Sequence, residues 1–172
     1  MEITVATSLI QGGIPAEKST WADIGAGTGI FTLALDAILP ADSTIIALDK
    51  SPHPLYYLHL QKCKLKIEEG DFSQPLNLPL LDGILMANAL HYAKNPLPIL
   101  QNLIQYLRPG GQFVLVEYER ESPIIPWVPF PVPQAQFRQL ANKVGLSAPH
   151  LIGNIPSVYN QDQIYAAACQ LG

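Results

Sequence analysis

The chain has 172 residues, the length of about one domain, and 48% of them are hydrophobic, so a core burying roughly 70% of the unfolded chain's surface is within reach. Charged residues make up only 14%, with a net charge of −4, and ten Lys and Arg scattered along the chain build no phosphate-tracking stripe, which disfavours a dedicated nucleic-acid binder. Two cysteines, Cys63 and Cys169, exclude a disulfide framework and a cysteine-based zinc site and read as small core residues.

Met1-Glu2-Ile3-Thr4 carries an acid where a signal peptide needs positive charge, so no leader is expected. The longest apolar region, residues 76–90, is cut by Asn77, Pro79, Asp82 and Asn88 and falls short of the roughly 18–20 residues of a membrane helix. A cytoplasmic protein is expected. Residues 5–10 suggest one or two helical turns, within a short N-terminal cover over residues 1–19. Thr20–Ile24 reads as a short buried strand, broken by Gly25-Ala26-Gly27-Thr28-Gly29. Residues 30–39 are apolar except for Asp36 and stop at Pro40, as a helix buried on most sides would.

The β-branched run 44–48 is a second strand ending at Asp49. Residues 54–64 carry Leu55, Leu58 and His59 at helical spacing and predict a helix. Strands are expected at 65–69, at an edge, and at 83–87. A helix over 96–107 aligns Leu97, Leu100, Ile104 and Leu107, and after the turn Arg108-Pro109-Gly110-Gly111 a fifth strand runs over 112–117. Prolines 123, 126, 129, 131 and 133 keep residues 122–133 out of regular structure. A helix over 134–144 ends at Gly145, and late strands fit 146–152 and 163–169. Strands alternating with helices make βαβ units and a mostly parallel sheet with helices on both faces.

Three segments carry chemistry. Asp23-Ile24-Gly25-Ala26-Gly27-Thr28-Gly29 closes the first strand and opens a helix, a turn where a ligand can touch the backbone and an anion can meet free N–H groups. The dinucleotide fingerprint is G-x-G-x-x-G, whereas the third glycine here comes one residue early. Asp49 lies twenty positions after Gly29, where an acid can accept from both hydroxyls of a ribose, or cap the following turn. Gly70-Asp71-Phe72 offers a carboxylate for an exocyclic amine and a ring for a base face, or is a plain turn.

With these pieces, and with Ala47-Leu48-Asp49, Asp82-Gly83-Ile84-Leu85, Asn88-Ala89-Leu90-His91 and Leu107-Arg108-Pro109-Gly110-Gly111, the chain resembles the class I S-adenosylmethionine-dependent methyltransferases, in their small-molecule branch that includes quinone-biosynthesis C-methyltransferases. The likeness covers residues 20 to about 117 and implies a Rossmann-like, doubly wound α/β fold. Its sheet would have seven strands in the order 3-2-1-4-5-7-6, with strand 7 antiparallel, in a single domain spanning 1–172.

The resemblance implies S-adenosylmethionine as cofactor and no metal. Gly25, Ala26, Gly27 and Gly29 would pass under its methionine portion, with Asp23 supporting the loop or holding the ammonium group. Asp49, followed by Lys50, would hold the ribose, Asp71 and Phe72 the adenine, and Asn88 would lie beneath the sulfonium. No Asn-Pro-Pro-Tyr motif follows the fourth strand, which disfavours amide or adenine N-methylation.

Methyl transfer is an in-line displacement that mainly needs alignment, and a base is needed only where the acceptor must lose a proton. The ionisable groups expected at the carboxyl ends of strands four and five are the candidate catalytic residues His91, Tyr92 and Glu117, with Tyr118 beside them. His91 is the base candidate or a packed loop histidine, Tyr92 is pocket wall or acid, and Glu117 orients an acceptor or ends its strand in a hydrogen bond.

Residues 122–133 are expected to form a semi-rigid flap lining the acceptor pocket, against the alternatives of a cover for the fifth strand or a dimer contact. The leading expectation is methylation of a small apolar or aromatic acceptor. A nicotinamide-dependent oxidoreductase and a non-catalytic cofactor-binding module are the competing readings. The acceptor, the methylated atom and the oligomeric state (monomer or homodimer) stay open.

Overall fold

In the computed structural model, which describes residues 1–158 and 162–172, the chain alternates strands and helices around one sheet. The elements are α1 (Ile3–Ile10), β1 (Thr20–Ile24), α2 (Ile30–Ile38), β2 (Thr44–Asp49), β3 (Lys64–Glu69), β4 (Leu81–Ala87), α3 (Pro96–Leu103), β5 (Leu107–Glu119), α4 (Gln134–Lys143), β6 (His150–Pro156) and β7 (Gln163–Gln170). The sheet order is β3-β2-β1-β4-β5-β7-β6. The first five strands pair in parallel, and β7 runs antiparallel to both β5 and β6. This is the seven-stranded order expected from the resemblance.

Side chains alternate across the pleat, so each central strand feeds two cores. Ala22, Ile24, Ile84, Met86, Phe113 and Leu115 pack on one face with Leu100 and Leu103 of α3 and Phe137 and Ala141 of α4. Trp21, Ile45, Leu85, Val114 and Val116 pack on the other with Leu9 and Ile10 of α1 and Phe31 and Leu35 of α2. Trp21 is wholly buried because β4 presents a glycine opposite it: a Cβ on Gly83 would meet the indole at 2.3 Å.

Three sequence expectations fail, the first two for reasons of tertiary contact. The helix over 54–64 is only a short 3-10 turn, His53–Tyr57, followed by irregular chain. The Asp36 carboxylate, from α2, accepts the N–H groups of Gln61, Lys62 and Cys63 at 2.7, 3.1 and 2.8 Å, and offers this backbone a partner outside any helix. Burial opposes ionisation of Asp36, but those bonds hold its carboxyl below the usual carboxylate range. The strand expected at 146–152 forms instead at His150–Pro156. Leu146 makes only an isolated bridge to Leu171, and β6 is registered by Gly153, where a Cβ would lie 2.3 Å from the Leu9 carbonyl oxygen of α1. The third helix also stops early, at Leu103, and a 3-10 turn leads into a longer β5.

Candidate active site

A cavity of about 1020 Å³ opens at the carboxyl ends of the parallel strands. The glycine loop forms its floor. Gly25 and Gly29 have φ of 73° and 84°, which L side chains rarely adopt, and a Cβ at either would clash, with Ala89 at 2.7 Å and Leu58 at 2.3 Å respectively. Gly27 (φ 56°) is different, because nothing lies within 4 Å of the place its Cβ would take. The loop is tied to β2: Gly25 N–H and Ala26 N–H donate to the Leu48 carbonyl at 2.8 and 3.0 Å, and Gly27 N–H donates to Asp49 Oδ2 at 2.8 Å.

Asp49 Oδ1 accepts from Ser51 N–H at 2.8 Å. Each oxygen of its carboxylate thus takes one protein donor and keeps a second acceptor site. Asp71 accepts from Ser73 N–H at 2.8 Å, and its hydrogen bonding with Ser73 holds its carboxyl below the usual range. Phe72 lies beside it, packed on the core. Asn88 sits in the left-handed region (φ 50°), pinned by its N–H to the Val116 carbonyl at 2.8 Å, and its buried Oδ1 has no partner. Gly25, Ala26, Gly27, Asp49, Lys50, Asp71, Phe72, Asn88 and Tyr92 all line the cavity.

Asp23, Gly29, His91 and Glu117 do not line it. Asp23 lies behind the loop, 1% exposed, where its Oδ2 accepts from the Thr32 hydroxyl of α2 at 2.6 Å. Burial raises its pKa from 3.8 to about 6 against that hydrogen bond. A carboxyl whose folded pKa is raised contributes stability that is present below pH 4 and is lost as the pH rises through about 6. Asp23→Asn keeps an acceptor for Thr32 and removes the titration. The unfolding free energy of Asp23→Asn minus that of the native chain is therefore expected to rise by about 2 kcal/mol between pH 4 and 7. Urea unfolding across that range measures it, and a flat difference would contradict the assignment.

His91 and Glu117 form a buried pair, 2% and 0% exposed. Glu117 Oε2 lies 2.7 Å from His91 Nδ1, and Oε1 accepts the His91 backbone N–H at 3.1 Å. With Glu117 ionised and the ring neutral, the ring proton lies on Nδ1, which leaves the lone pair on Nε2, a buried atom with no partner among the described residues. The register Ala87↔Val116 between β4 and β5 brings the two residues together.

The proline-rich segment 122–133 contributes nothing to the cavity lining. It lies behind the wall instead: Phe130 N–H donates to the His91 carbonyl at 2.9 Å, Tyr165 O–H donates to the Val132 carbonyl at 2.7 Å, and Val128 and Val132 are buried. The flap expectation is corrected on this point, since Ile125 and Trp127 face solvent. Part of the wall that does line the cavity was not expected from the sequence: Val5, Phe31, Ile155, Pro156 and Ile164. The misplaced sixth strand hid Ile155 and Pro156, which an alternation extended to Ile155 would have suggested, while Ile164 lies in the late strand that was expected.

The geometry has counterparts among known proteins. Residues 22–115 match a family described as "Methyltransferase domain". Over 110 residues the chain is 38% identical to fusarielin synthase FSL1 of Gibberella zeae, a match covering 58% of this chain and 4% of that much longer protein. Among solved structures, the YcgJ protein from Bacillus subtilis superposes with a TM-score of 0.74 at 15% identity, over 97% of this chain and 98% of that one. The 1,6-didemethyltoxoflavin-N1-methyltransferase of Burkholderia thailandensis, solved with bound 1,6-didemethyltoxoflavin and S-adenosylhomocysteine, superposes with a TM-score of 0.73 at 15% identity, over 98% of this chain and 77% of that one. No helix among the described residues is long and apolar enough to cross a membrane.

Proposed function

The chain belongs to the methyltransferase domain family, and from that premise we propose that its cavity binds S-adenosylmethionine and that the protein methylates a small, apolar or aromatic acceptor. The observation that carries the reading is a row of hydrogen-bond acceptors with unfilled capacity along one wall, Asp49, Asp71 and the orphaned Oδ1 of Asn88, above the open place at Gly27. That row suits a ligand with hydroxyls, amino groups and a positive centre. Glu2, Asp49 and Asp71 outweigh Lys50, the one basic residue among the described lining, so the cavity favours a cation.

When bound, S-adenosylmethionine supplies a methyl group activated by its sulfonium. The residues of the chain do the rest. Asp49 holds the two ribose hydroxyls, Asp71 takes an amine hydrogen, Phe72 covers the base, and Asn88 faces the positive end. Tyr92, Tyr118, Ile155 and Ile164 give the remaining space an apolar wall that strips water from the acceptor. A lightly basic lining leaves nucleic acid without phosphate contacts, which supports a free small molecule as acceptor. His91 Nε2, its tautomer set by Glu117, takes a proton from acceptors that must lose one.

Thermal unfolding tests the binding. A ligand at a hundred times its Kd stabilises by about 2.7 kcal/mol, which at this chain length is a rise of roughly 5–10 °C. Millimolar S-adenosylhomocysteine is expected to give that rise and NAD none. No shift with the former, or a shift with NAD alone, would overturn the proposal.

A further inference from the structure

The base is shut behind the cavity wall. His91 is 2% exposed, and two rings that do line the cavity are packed on it: Tyr92, with ring centroids 4.4 Å apart, and Tyr118, at 6.1 Å. His91 itself has little freedom to swing out. Its backbone N–H and Nδ1 are both held by Glu117, and its carbonyl is held by Phe130 N–H. Tyr118 belongs to β5, paired with Ile164 of β7. Tyr92 is the loose member of the group. It ends a 3-10 turn, it is 56% exposed, and its hydroxyl makes no hydrogen bond among the described residues.

Resting on the base assignment above, we propose that Tyr92 is the access-determining residue of the active site: its ring screens His91 Nε2 while the acceptor space is empty, and gives way when the acceptor enters. The protein thereby keeps water off a buried, unpartnered nitrogen, and the acceptor must supply the contact that the phenol ring gives up. A flat, apolar or aromatic group replaces that contact. A strongly hydrated acceptor, such as a carboxylate or a phosphate ester, does not, and is rejected at this step.

Diethyl pyrocarbonate, which acylates an unprotonated imidazole nitrogen, tests the screen without any acceptor or turnover. His53, His59 and His150 are exposed and serve as internal standards within the full chain. In the native chain His91 is expected to react far more slowly than these three, as read by peptide mass mapping. Tyr92→Ala is expected to speed His91 alone by at least roughly tenfold, because local opening is no longer required. Tyr92→Phe keeps the ring and is expected to leave His91 slow. Trp127→Ala, on the exposed proline segment, is also expected to leave it slow.

The His91 rate is taken relative to the three standards, so a general loosening of the fold is distinguished from a local opening. Amide exchange of β4 and β5 is expected to stay at its native level in Tyr92→Ala. An unchanged His91 rate in Tyr92→Ala, equal acceleration in Trp127→Ala, or acceleration matched by lost amide protection would each overturn the proposal. Failure of the base assignment shows elsewhere, as retained turnover in a His91 variant.

Discussion

Replacing His91 with glutamine is expected to slow methyl transfer to a proton-losing acceptor by roughly 10²–10⁴-fold, while affinity for S-adenosylhomocysteine stays at the native level. Glutamine still offers Glu117 an N–H, so the buried carboxylate keeps a partner, yet no basic nitrogen remains. Alanine is a poorer probe, since it leaves Glu117, 0% exposed, as a buried charge short of a donor, a loss on the order of 3–5 kcal/mol. Glu117→Gln is expected to slow the reaction by a similar factor through the tautomer, because a neutral amide no longer compels the proton onto Nδ1. If the two residues act as one unit, the double variant is no slower than the worse single one. Glutamine at 91 with turnover within a few-fold of native, in a protein whose melting point is unchanged, would make His91 part of the wall.

What was legible in the sequence is what depends on near neighbours. The apolar runs at Thr20–Ile24 and Thr44–Asp49 announce strands buried on two faces, and the glycine loop and Asp49 announce a ligand edge because they sit at consecutive strand ends. Each cofactor-side residue apart from Asp23 and Gly29 lies on the cavity for that reason. The order of the strands was not legible in periodicity and rests on the likeness to a known family.

What could not be read depends on partners far along the chain. Nothing in residues 54–64 shows that Asp36 will collect three of their neighbouring backbone donors. Nothing local to Gly153 shows that α1 will press on it. His91 and Glu117 each stand out as ionisable groups at strand ends, but their pairing, 26 residues apart, is a product of β4–β5 register. The ring of Tyr92 over His91 is a fact of side-chain packing that spacing does not carry. The proline segment misleads in the opposite way. Its apolar residues suggest a pocket lining, yet Val128 and Val132 spend their burial on the back of the wall.

Asp49→Ala is expected to weaken S-adenosylhomocysteine binding by at least roughly tenfold, and by more if both hydrogen bonds to the ribose are lost in full, at about 1.5–3 kcal/mol for each charged acceptor. An ionised carboxylate has about four acceptor sites. Two are filled by the N–H groups of Gly27 and Ser51, and the two that remain match the two hydroxyls of a ribose. The same geometry shows a second route to weaker binding. Without Asp49 Oδ2 the Gly27 N–H loses its anchor, and the loop that forms the cavity floor is released from the end of β2. Asp49→Asn separates the two routes. Its one amide oxygen can keep Gly27 in place, but the NH2 group cannot accept from a hydroxyl. The asparagine variant keeps one acceptor site for a hydroxyl and loses the other together with the charge, so its affinity is expected to fall between native and alanine, with loop amide protection close to native. Because the Gly27 and Ser51 bonds are exposed, the melting point of the ligand-free protein is expected to move little in either variant. A native affinity in Asp49→Asn, measured by titration calorimetry, would mean that Asp49 serves the loop alone.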